Sequence, residues 1–545
     1  MYYKLVEKEV EVYYMKVSSI FKYIFIIFAI GIIIYAGYRI YKNKDGKVTA
    51  NIENNAVVEE NIIKDIRLSL TNYDTMNPLI TNNREIINIS TLIFEPLFTL
   101  TQDYQLQPCL ARECSKTGDN IYVIKTVNNV NWHDGTPFTA KDIQFTIDLL
   151  KNGNSVYKYN VAQIESTEVV DATTIKIKLY NNIPFFEYNL IFPIMSSNYY
   201  YGEDFFSSTK TPIGTGRYKI TNISTNSITL SKNEKWKSAT GIKEIKIENI
   251  KINLYSSMGE AYNSFKIGNL DILNTSNPNF YEYIGTIGFN KTDYPGRQFD
   301  FLSFNCADTI LQDKAVRQAI SYAVDKSNIV SSVYSNQNIV AEYPLDYGNF
   351  LYTDNNASSG YNAEQAKKVL EDSGWEYSNN RWKKKIDGRN QTLRLKIAVD
   401  SSNQARVAVA EIIEKQLEEI GIDITVEKVS NSKYNSYIDN KDYQILLTGV
   451  YTSYSPDLTY YFAPGNIENY SNEKMFELMN NASIVKDIKQ IKEIYNQIFD
   501  LYKDEVPFVG LYRNKNTTIS TQSLIGTITP NNYTSFYGIE EWYRK

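Results

Sequence analysis

The stretch DFLSFNCADTILQDKAVRQAISYAVDKSNIV, residues 300–330, contains a buried strand, a connector and a capped amphipathic helix in succession. Its apolar run at 301–304 favours a strand buried on both faces, which ends at Asn305. Asp313 and Asp325 can each accept a hydrogen bond from the free amides of a following helical turn. The apolar residues of the helix recur at i, i+3, i+4 and i+7: Val316, Ala319, Ile320 and Ala323. The pattern taken alone predicts a helix packed on a sheet.

The sequence of residues 315–330, AVRQAISYAVDKSNIV, resembles a motif of the family 5 extracellular solute-binding proteins. These proteins are the oligopeptide, dipeptide and nickel receptors of ABC importers. Further motifs similar to those of the family follow in its order: NP at 77–78, FEPL at 94–97, PCLA at 108–111, NWHDGTPFTAKDIQFTIDLLKN at 131–152, TPIGTGRYKI at 211–220 and VPFVGLY at 506–512. The resemblance implies an α/β, two-lobed periplasmic-binding-protein-like fold of class II, the large peptide-binding type. The extra subdomain in lobe one is implied by the same resemblance.

The N-terminal region contains sixteen residues without a charge, YIFIIFAIGIIIYAGY at 23–38. With residues 17–22 and a snorkelling Lys22, this run is long enough to span a bilayer. Lysines on both sides do not orient the helix, so the resemblance alone places the binding domain on the extracytoplasmic side of the cell membrane. A lipoprotein would need a cysteine where Tyr38 stands, which favours retention by an uncleaved helix and leaves cleavage as the alternative.

Pattern and resemblance together divide the chain into consecutive segments. They are a cytoplasmic extension at 1–16, a transmembrane or signal-anchor helix at 17–38, a linker at 39–61, lobe one at 62–300 with an inserted subdomain at about 95–205, lobe two at 301–512, and a return to lobe one at 513–545.

Composition and motifs exclude several function classes. A formal net charge of −5 gives no basic footprint, so no nucleic acid is expected as a partner. The chain has no GxSxG, HExxH or P-loop motif, and its Cys and His residues do not cluster at ligand spacing, so we predict no enzyme, no cofactor and no metal site. Cys109 and Cys114 are interpreted as buried thiols, with a bridge between them as the alternative. The single histidine, His133, is expected on a surface turn.

The resemblance implies a function in which two lobes close on a solute. The predicted protein is a monomeric receptor that captures oligopeptides by closure and delivers them to the transmembrane subunits of an ABC permease. Two alternatives stay open: a receptor for nickel or another metal bound in an organic chelator, and a peptide sensor that does not transport.

The expected ligand site departs from the family at one position. In peptide receptors a strand end reading GW, two residues, then Asp supplies a carboxylate for the α-amino group of the ligand. Here residues 449–453 read GVYTS, so Ser453 occupies that position and cannot neutralise an ammonium. Either Asp457 compensates or the ligand lacks a free amine, because a buried unpaired ammonium costs several kcal/mol. A helix cap is the competing interpretation of Asp457.

Five further residues are predicted to contact the ligand. Tyr451 and Tyr454 flank Ser453 and could stack on a solute, with packing as the alternative. Arg297 precedes the first hinge and could face the cleft or form an exposed salt bridge. Arg84 and Asn274 are carried over from the positions of cleft loops in lobe one of the family.

Overall fold

A computed structural model of the chain describes residues 63–237, 244–285, 287–345, 348–352 and 360–545. The helix predicted at 17–38 and the segments predicted at 1–16 and 39–61 lie outside the described residues. Within the described ranges, no helix combines the length and the apolar character needed to cross a membrane.

Strands and helices are intermixed along the described chain. The strands are β1 (Asp65–Thr71), β2 (Phe98–Leu100), β3 (Leu106–Pro108), β4 (Ala111–Lys116), β5 (Ile121–Thr126), β6 (Ile164–Asp171), β7 (Thr174–Leu179), β8 (Tyr218–Ile223), β9 (Ser227–Lys232), β10 (Asn249–Tyr255), β11 (Ile272–Thr275), β12 (Phe289–Phe304), β13 (Asn338–Val340), β14 (Glu376–Ser378), β15 (Arg381–Ile386), β16 (Arg389–Thr392), β17 (Arg394–Asp400), β18 (Asp423–Val429), β19 (Ile445–Tyr451), β20 (Phe508–Thr521), β21 (Leu524–Ile525) and β22 (Tyr543–Arg544). The α-helices are Arg84–Ser90, Ala140–Asn152, Lys158–Val161, Met258–Lys266, Phe280–Ile284, Lys314–Ala323, Lys326–Tyr334, Ala363–Asp372, Gln404–Glu419, Asn431–Asn440, Thr459–Phe462, Glu473–Ile484 and Ile488–Glu505.

Two long antiparallel strands, β12 and β20, join the two halves of the molecule. The main sheet runs in the order β18-β17-β19-β12-β20-β11-β1-β10-β9-β8, so β12 and β20 stand at its centre. Residues 298–304 of β12 pair with β19, whereas residues 517–520 of β20 pair with β11. Each of these crossing strands therefore has one end in each half, which gives the molecule two lobes.

The first crossing strand is longer than the sequence predicted. The expected strand covered only the apolar run at 301–304, but β12 has 16 residues and begins at Phe289. Its first part, which reads FNKTDYPGR, lacks an apolar alternation and contains Pro295 and Gly296. The pairing of β12 with β20 shifts register between Pro295 and Phe299, and such a bulge accommodates a proline that cannot donate to the ladder.

Separate hydrophobic cores define the two lobes. Lobe one contains the core residues between Ile66 and Ile272 and returns with those between Leu524 and Trp542. Lobe two contains three cores formed by residues between Phe299 and Tyr512. A four-stranded antiparallel sheet, β4-β5-β7-β6, packs within lobe one.

The capped helix after the first crossing strand confirms the sequence pattern. Asp313 accepts a hydrogen bond from the amide of Ala315 at 3.0 Å, and Asp325 accepts one from the amide of Asn328 at 2.9 Å. All four residues of the predicted apolar face are fully buried: Val316, Ala319, Ile320 and Ala323. Local spacing and capping chemistry determine this element, and tertiary packing does not override them.

His133 lies on a turn, as the sequence predicted, but its side chain is half-buried against residues 214–216. Its Nδ1 accepts a hydrogen bond from the amide of Gly214, and its Nε2 donates one to the carbonyl of Gly216, each at 3.2 Å. Burial lowers the pKa of His133 to about 4, because the charged imidazolium would lose its hydration. The imidazole therefore acts as a neutral bridge between two segments of lobe one.

The depressed pKa of His133 predicts acid-dependent loss of stability. Between roughly pH 6.5 and pH 4 the unfolded chain binds a proton that the folded protein does not, so the free energy of unfolding falls as the pH falls. Because the chain has a single histidine, the imidazole NMR resonances of the folded protein report this group alone. We expect a titration midpoint near pH 4; a midpoint near 6.5 would contradict the buried neutral bridge.

Candidate functional site

A cavity of about 1300 Å³ lies between the lobes and is lined by residues of both. Lobe one contributes the helix Arg84–Ser90, the end of β11 with the residue that follows it, and the chain return around 531–540. Tyr294, Asn514 and Asn516 of the crossing strands line it as well. Segment 451–454, which begins at the last residue of β19, forms the lobe two wall, at the strand end where open α/β sheets place ligands.

Arg84 and Tyr451 meet across the cavity. Asn83 caps the helix Arg84–Ser90 by accepting a hydrogen bond from the amide of Glu85, which fixes Arg84 as the first helical residue. The guanidinium of Arg84 lies 5.1 Å from the centre of the exposed Tyr451 ring. This cation–π contact joins the first turn of a lobe one helix to the end of β19.

Arg297 is held rigidly at the bulge of the first crossing strand. Its Nε donates to the carbonyl of Thr452 at 2.7 Å, and its guanidinium lies 4.1 Å from the centre of the Tyr454 ring. The amide of Thr452 donates back to the carbonyl of Arg297 at 2.9 Å. Arg297 lines the cavity and makes none of the ion pairs found in the described part of the chain.

Tyr454 contacts both lobes. Its hydroxyl donates to the carbonyl of Asn532 at 2.6 Å, and its ring stacks on Tyr104 with the centroids 6.0 Å apart. The Tyr533 ring meets it edge-on at 5.9 Å. Tyr454 therefore packs against lobe one and also lines the cavity, and its contact with a ligand stays a prediction.

Ser453 lines the cavity, whereas Asp457 is absent from its walls among the described residues. The Oγ of Ser453 accepts a hydrogen bond from the amide of Ser455 at 3.0 Å. Asp457 accepts one from the amide of Thr459 at 2.9 Å, at the start of the helix Thr459–Phe462. Burial raises the pKa of Asp457, and the bond from the Thr459 amide opposes that rise. Its carboxylate closes a turn just before that helix, whose N-cap residue is Leu458, and the loop does not bend it into the cavity wall.

Asn274 lines the cavity from β11. Its Oδ1 accepts hydrogen bonds from the hydroxyls of Thr518 at 2.6 Å and Ser535 at 3.3 Å. These bonds orient the side-chain amide, so its NH₂ group is positioned by the second crossing strand and by the chain return. Six of the seven residues predicted to bind ligand thus share one cavity: Arg84, Asn274, Arg297, Tyr451, Ser453 and Tyr454.

Sequence reasoning missed a polar wall of the cavity in lobe one. Glu95 accepts hydrogen bonds from the indole of Trp236 at 2.9 Å and from the hydroxyl of Thr215 at 2.8 Å. Burial raises the pKa of Glu95, while these two bonds oppose the rise. Arg217 forms an ion pair with Glu540 beside this group. FEPL and TPIGTGRYKI served only as motifs of the family resemblance, and no local pattern joins residues 95, 236 and 540.

The described residues contain no cluster of metal ligands, and their cysteine thiols are free. In the ranges that the structure describes, no three His, Cys, Asp or Glu side chains gather as a metal site would require. Cys109 and Cys114 are free, so the alternative of a bridge between them is wrong. Burial raises the pKa of Cys114 to about 12, which keeps this thiol protonated and unreactive at neutral pH.

Comparisons with known proteins match this architecture. Residues 105–471 match the family model of the bacterial extracellular solute-binding proteins, family 5 Middle. The oligopeptide-binding protein AppA of Bacillus subtilis is 24% identical over 504 residues, which cover 86% of this chain and 89% of that protein. Its crystal structure in complex with a nonapeptide gives a TM-score of 0.54 at 21% identity, over 88% of this chain and 99% of that one. A nickel ABC transporter structure from Bacillus halodurans gives 0.72 at 16% identity, over 88% and 100%.

Proposed function

The chain belongs to the bacterial extracellular solute-binding proteins of family 5, and from this premise we propose that it captures oligopeptides between its lobes and delivers them to an ABC permease. Closure of the lobes about the two crossing strands would switch the protein from an open arrangement to a closed one. A ligand that contacts both lobes favours the closed arrangement, whereas a ligand that contacts one lobe does not. The family supports a binding role in place of a catalytic one.

The size of the cavity is the observation that carries the peptide proposal. Its volume of about 1300 Å³ exceeds the ~300–1,000 Å³ of ordinary small-molecule pockets. Neutral side-chain amides are frequent in its walls: Asn88, Asn274, Asn514, Asn516, Asn531 and Asn532. Because an amide both donates and accepts, such a wall suits the main chain of an extended peptide whatever its side chains.

The place of action belongs to the same proposal. We propose that the binding domain works as a monomer on the extracytoplasmic side of the cell membrane, held there by the apolar segment 17–38. Its sixteen uncharged residues at 23–38 and the family's extracellular role support this arrangement. Alkaline extraction of membranes from cells that produce the full-length chain tests the anchor. Retention in the membrane pellet is expected, and release of the whole chain would contradict it.

The ligand proposal is tested on the natively purified full-length protein. Denaturation followed by mass spectrometry is expected to release peptides of several residues; a metal chelate released in their place would contradict it. Loss of peptide uptake on deletion separates an importer from a sensor.

A variant at the lobe interface completes this test. Tyr454→Ala is expected to reduce the retained peptide roughly tenfold, because it removes the hydrogen bond to Asn532 and the stacking on Tyr104. Tyr201→Ala, at a residue that is 87% exposed and outside the cavity walls, is the matched control and should retain peptide normally. Equal retention by both variants would remove Tyr454 from the binding machinery.

A further inference from the structure

Two guanidinium groups bracket segment 451–454, and neither is paired with a carboxylate in the described residues. Arg84 contacts the ring of Tyr451, and Arg297 contacts the ring of Tyr454. The Nε of Arg297 is used by the carbonyl of Thr452, which leaves the edge formed by its two Nη groups for a ligand. Ser453 lies between the two contact points and carries no charge.

The acidic residues of the cavity wall are occupied elsewhere in lobe one. The carboxylate of Glu85 accepts from the amide of Thr71 at 2.7 Å and from its hydroxyl at 3.2 Å. Glu95 is held by Trp236 and Thr215 as described above, and Glu540 pairs with Arg217. Among the described residues, none of these acidic residues of the cavity wall forms an ion pair with Arg84 or Arg297.

This arrangement favours an anion over an ammonium. An immobilised guanidinium presents two parallel donors that match a carboxylate, and its fixed orientation lowers the entropy lost on binding. An α-ammonium at the same place would meet like charges and no counter-ion, so its desolvation would be uncompensated. Asp457, the nearest acid along the chain, is committed to the amide of Thr459.

We propose that the ligand presents a carboxylate to Arg84 and Arg297, and that its α-amino group lies away from segment 451–454 or is blocked. The carboxylate is the C-terminus of a peptide or an acidic side chain. This inference rests on the proposed function, because it specifies the class of peptide that the cavity takes.

The test measures binding of pentapeptide pools to the full-length protein by equilibrium dialysis. The pools contain or lack Asp and Glu, have a free or an amidated C-terminus, and have a free or an acetylated N-terminus. Pools without any carboxylate are expected to bind at least tenfold more weakly, whereas acetylation should change binding less than twofold. A loss confined to C-terminal amidation identifies the C-terminus as the anion; rescue by Asp or Glu identifies the side chain.

Variants assign the effect to the arginines. Arg297→Gln is expected to reduce binding of the carboxylate-bearing pools about tenfold and to reduce binding of the pools without a carboxylate much less. Ser453→Asp should also weaken the carboxylate-bearing pools, because it adds a competing anion. Arg389→Gln, on β16 at an exposed residue outside the cavity wall, is the charge-matched control.

The outcomes distinguish failure of the carboxylate proposal from failure of the proposed peptide capture. Equal binding of pools with and without carboxylates, or loss of binding on acetylation, overturns the inference while peptide capture stands. Failure of every pool to bind overturns both. The pool comparison on the unmodified protein decides the question even if a variant does not fold.

Discussion

Replacing Asp300 by alanine is expected to lower the free energy of unfolding by about 3–5 kcal/mol, the usual cost of removing one partner of a buried ion pair. Asp300 is 5% exposed and lies on the first crossing strand. Its carboxylate accepts from Nε and Nη2 of Arg406, each at 2.9 Å, and from the hydroxyl of Tyr512 at 3.1 Å. Without it, the half-buried guanidinium of Arg406 loses its ion-pair partner.

The ion pair between Asp300 and Arg406 connects several elements of the molecule. Arg406 belongs to the helix Gln404–Glu419 of lobe two, and Tyr512 belongs to the second crossing strand. One carboxylate thus fastens both crossing strands to the body of lobe two, so the strands can bend only beyond this point. We expect the loss of stability to be accompanied by weaker ligand binding, since the two strands no longer move as one unit.

Chemical denaturation followed by tryptophan fluorescence measures the effect of Asp300→Ala. The double variant Asp300→Leu with Arg406→Met should lose less stability than the single variant, because it leaves no unpaired charge. Glu364→Ala, which breaks an exposed helical pair with Lys367, is the control and should cost less than about 1 kcal/mol. A single variant that unfolds at the same denaturant concentration as the control would show that the pair does not stabilise the fold.

Locally determined features were predictable from the sequence. The helix Lys314–Ala323 and its Asp313 cap follow from residues within a few positions of each other, as does the cap of the helix Ala140–Asn152 at Thr139. The length of β12 was not predictable in the same way. Its polar half is held by pairing with β20, about 220 residues later, and a single-sequence pattern contains no information on such a partner.

In the candidate site, too, features set by nearby residues were predictable and features set by distant residues were not. The motif position of Ser453 and the strand end at Tyr451 placed segment 451–454 in the cavity, and the structure agrees. Asp457 was open to two interpretations, and the structure places it outside the cavity wall, in a turn before Thr459–Phe462 whose N-cap residue is Leu458. The polar wall around Glu95 escaped prediction because its partners are distant in sequence, and a buried carboxylate looks the same in a sequence as an exposed one.

The burial of Glu468, which the sequence does not reveal, changes the protonation of its carboxyl group. The side chain is fully buried in lobe two, where its Oε1 accepts from the hydroxyl of Ser303 at 3.3 Å. Its Oε2 has no hydrogen-bond partner among the described residues. Burial raises the pKa of Glu468 to about 8, with its backbone bond, the Ser303 hydroxyl and Lys441 opposing the rise. The folded protein therefore holds this carboxyl protonated at neutral pH.

We expect the Glu468 proton to make the protein less stable as the pH rises. Between roughly pH 4.5 and pH 8 the folded state binds a proton that the unfolded state has lost, so the free energy of unfolding falls by about 1 kcal/mol per pH unit. Glu468→Gln keeps the shape and cannot ionise, so it should remove this slope and be several kcal/mol more stable than the unmodified protein at pH 8. Near pH 4.5 the two should be similar.

Denaturation midpoints across this pH range distinguish Glu468 from other groups. His133 acts in the opposite direction below pH 6.5, because there the unfolded chain binds the extra proton, so the contribution of Glu468 is clearest between pH 6.5 and pH 8. Glu371→Gln, at an exposed residue of the helix Ala363–Asp372, should leave the slope unchanged. If Glu468→Gln kept the slope of the unmodified protein, the buried carboxyl would have to be ionised, and a cation or water would have to reach its Oε2.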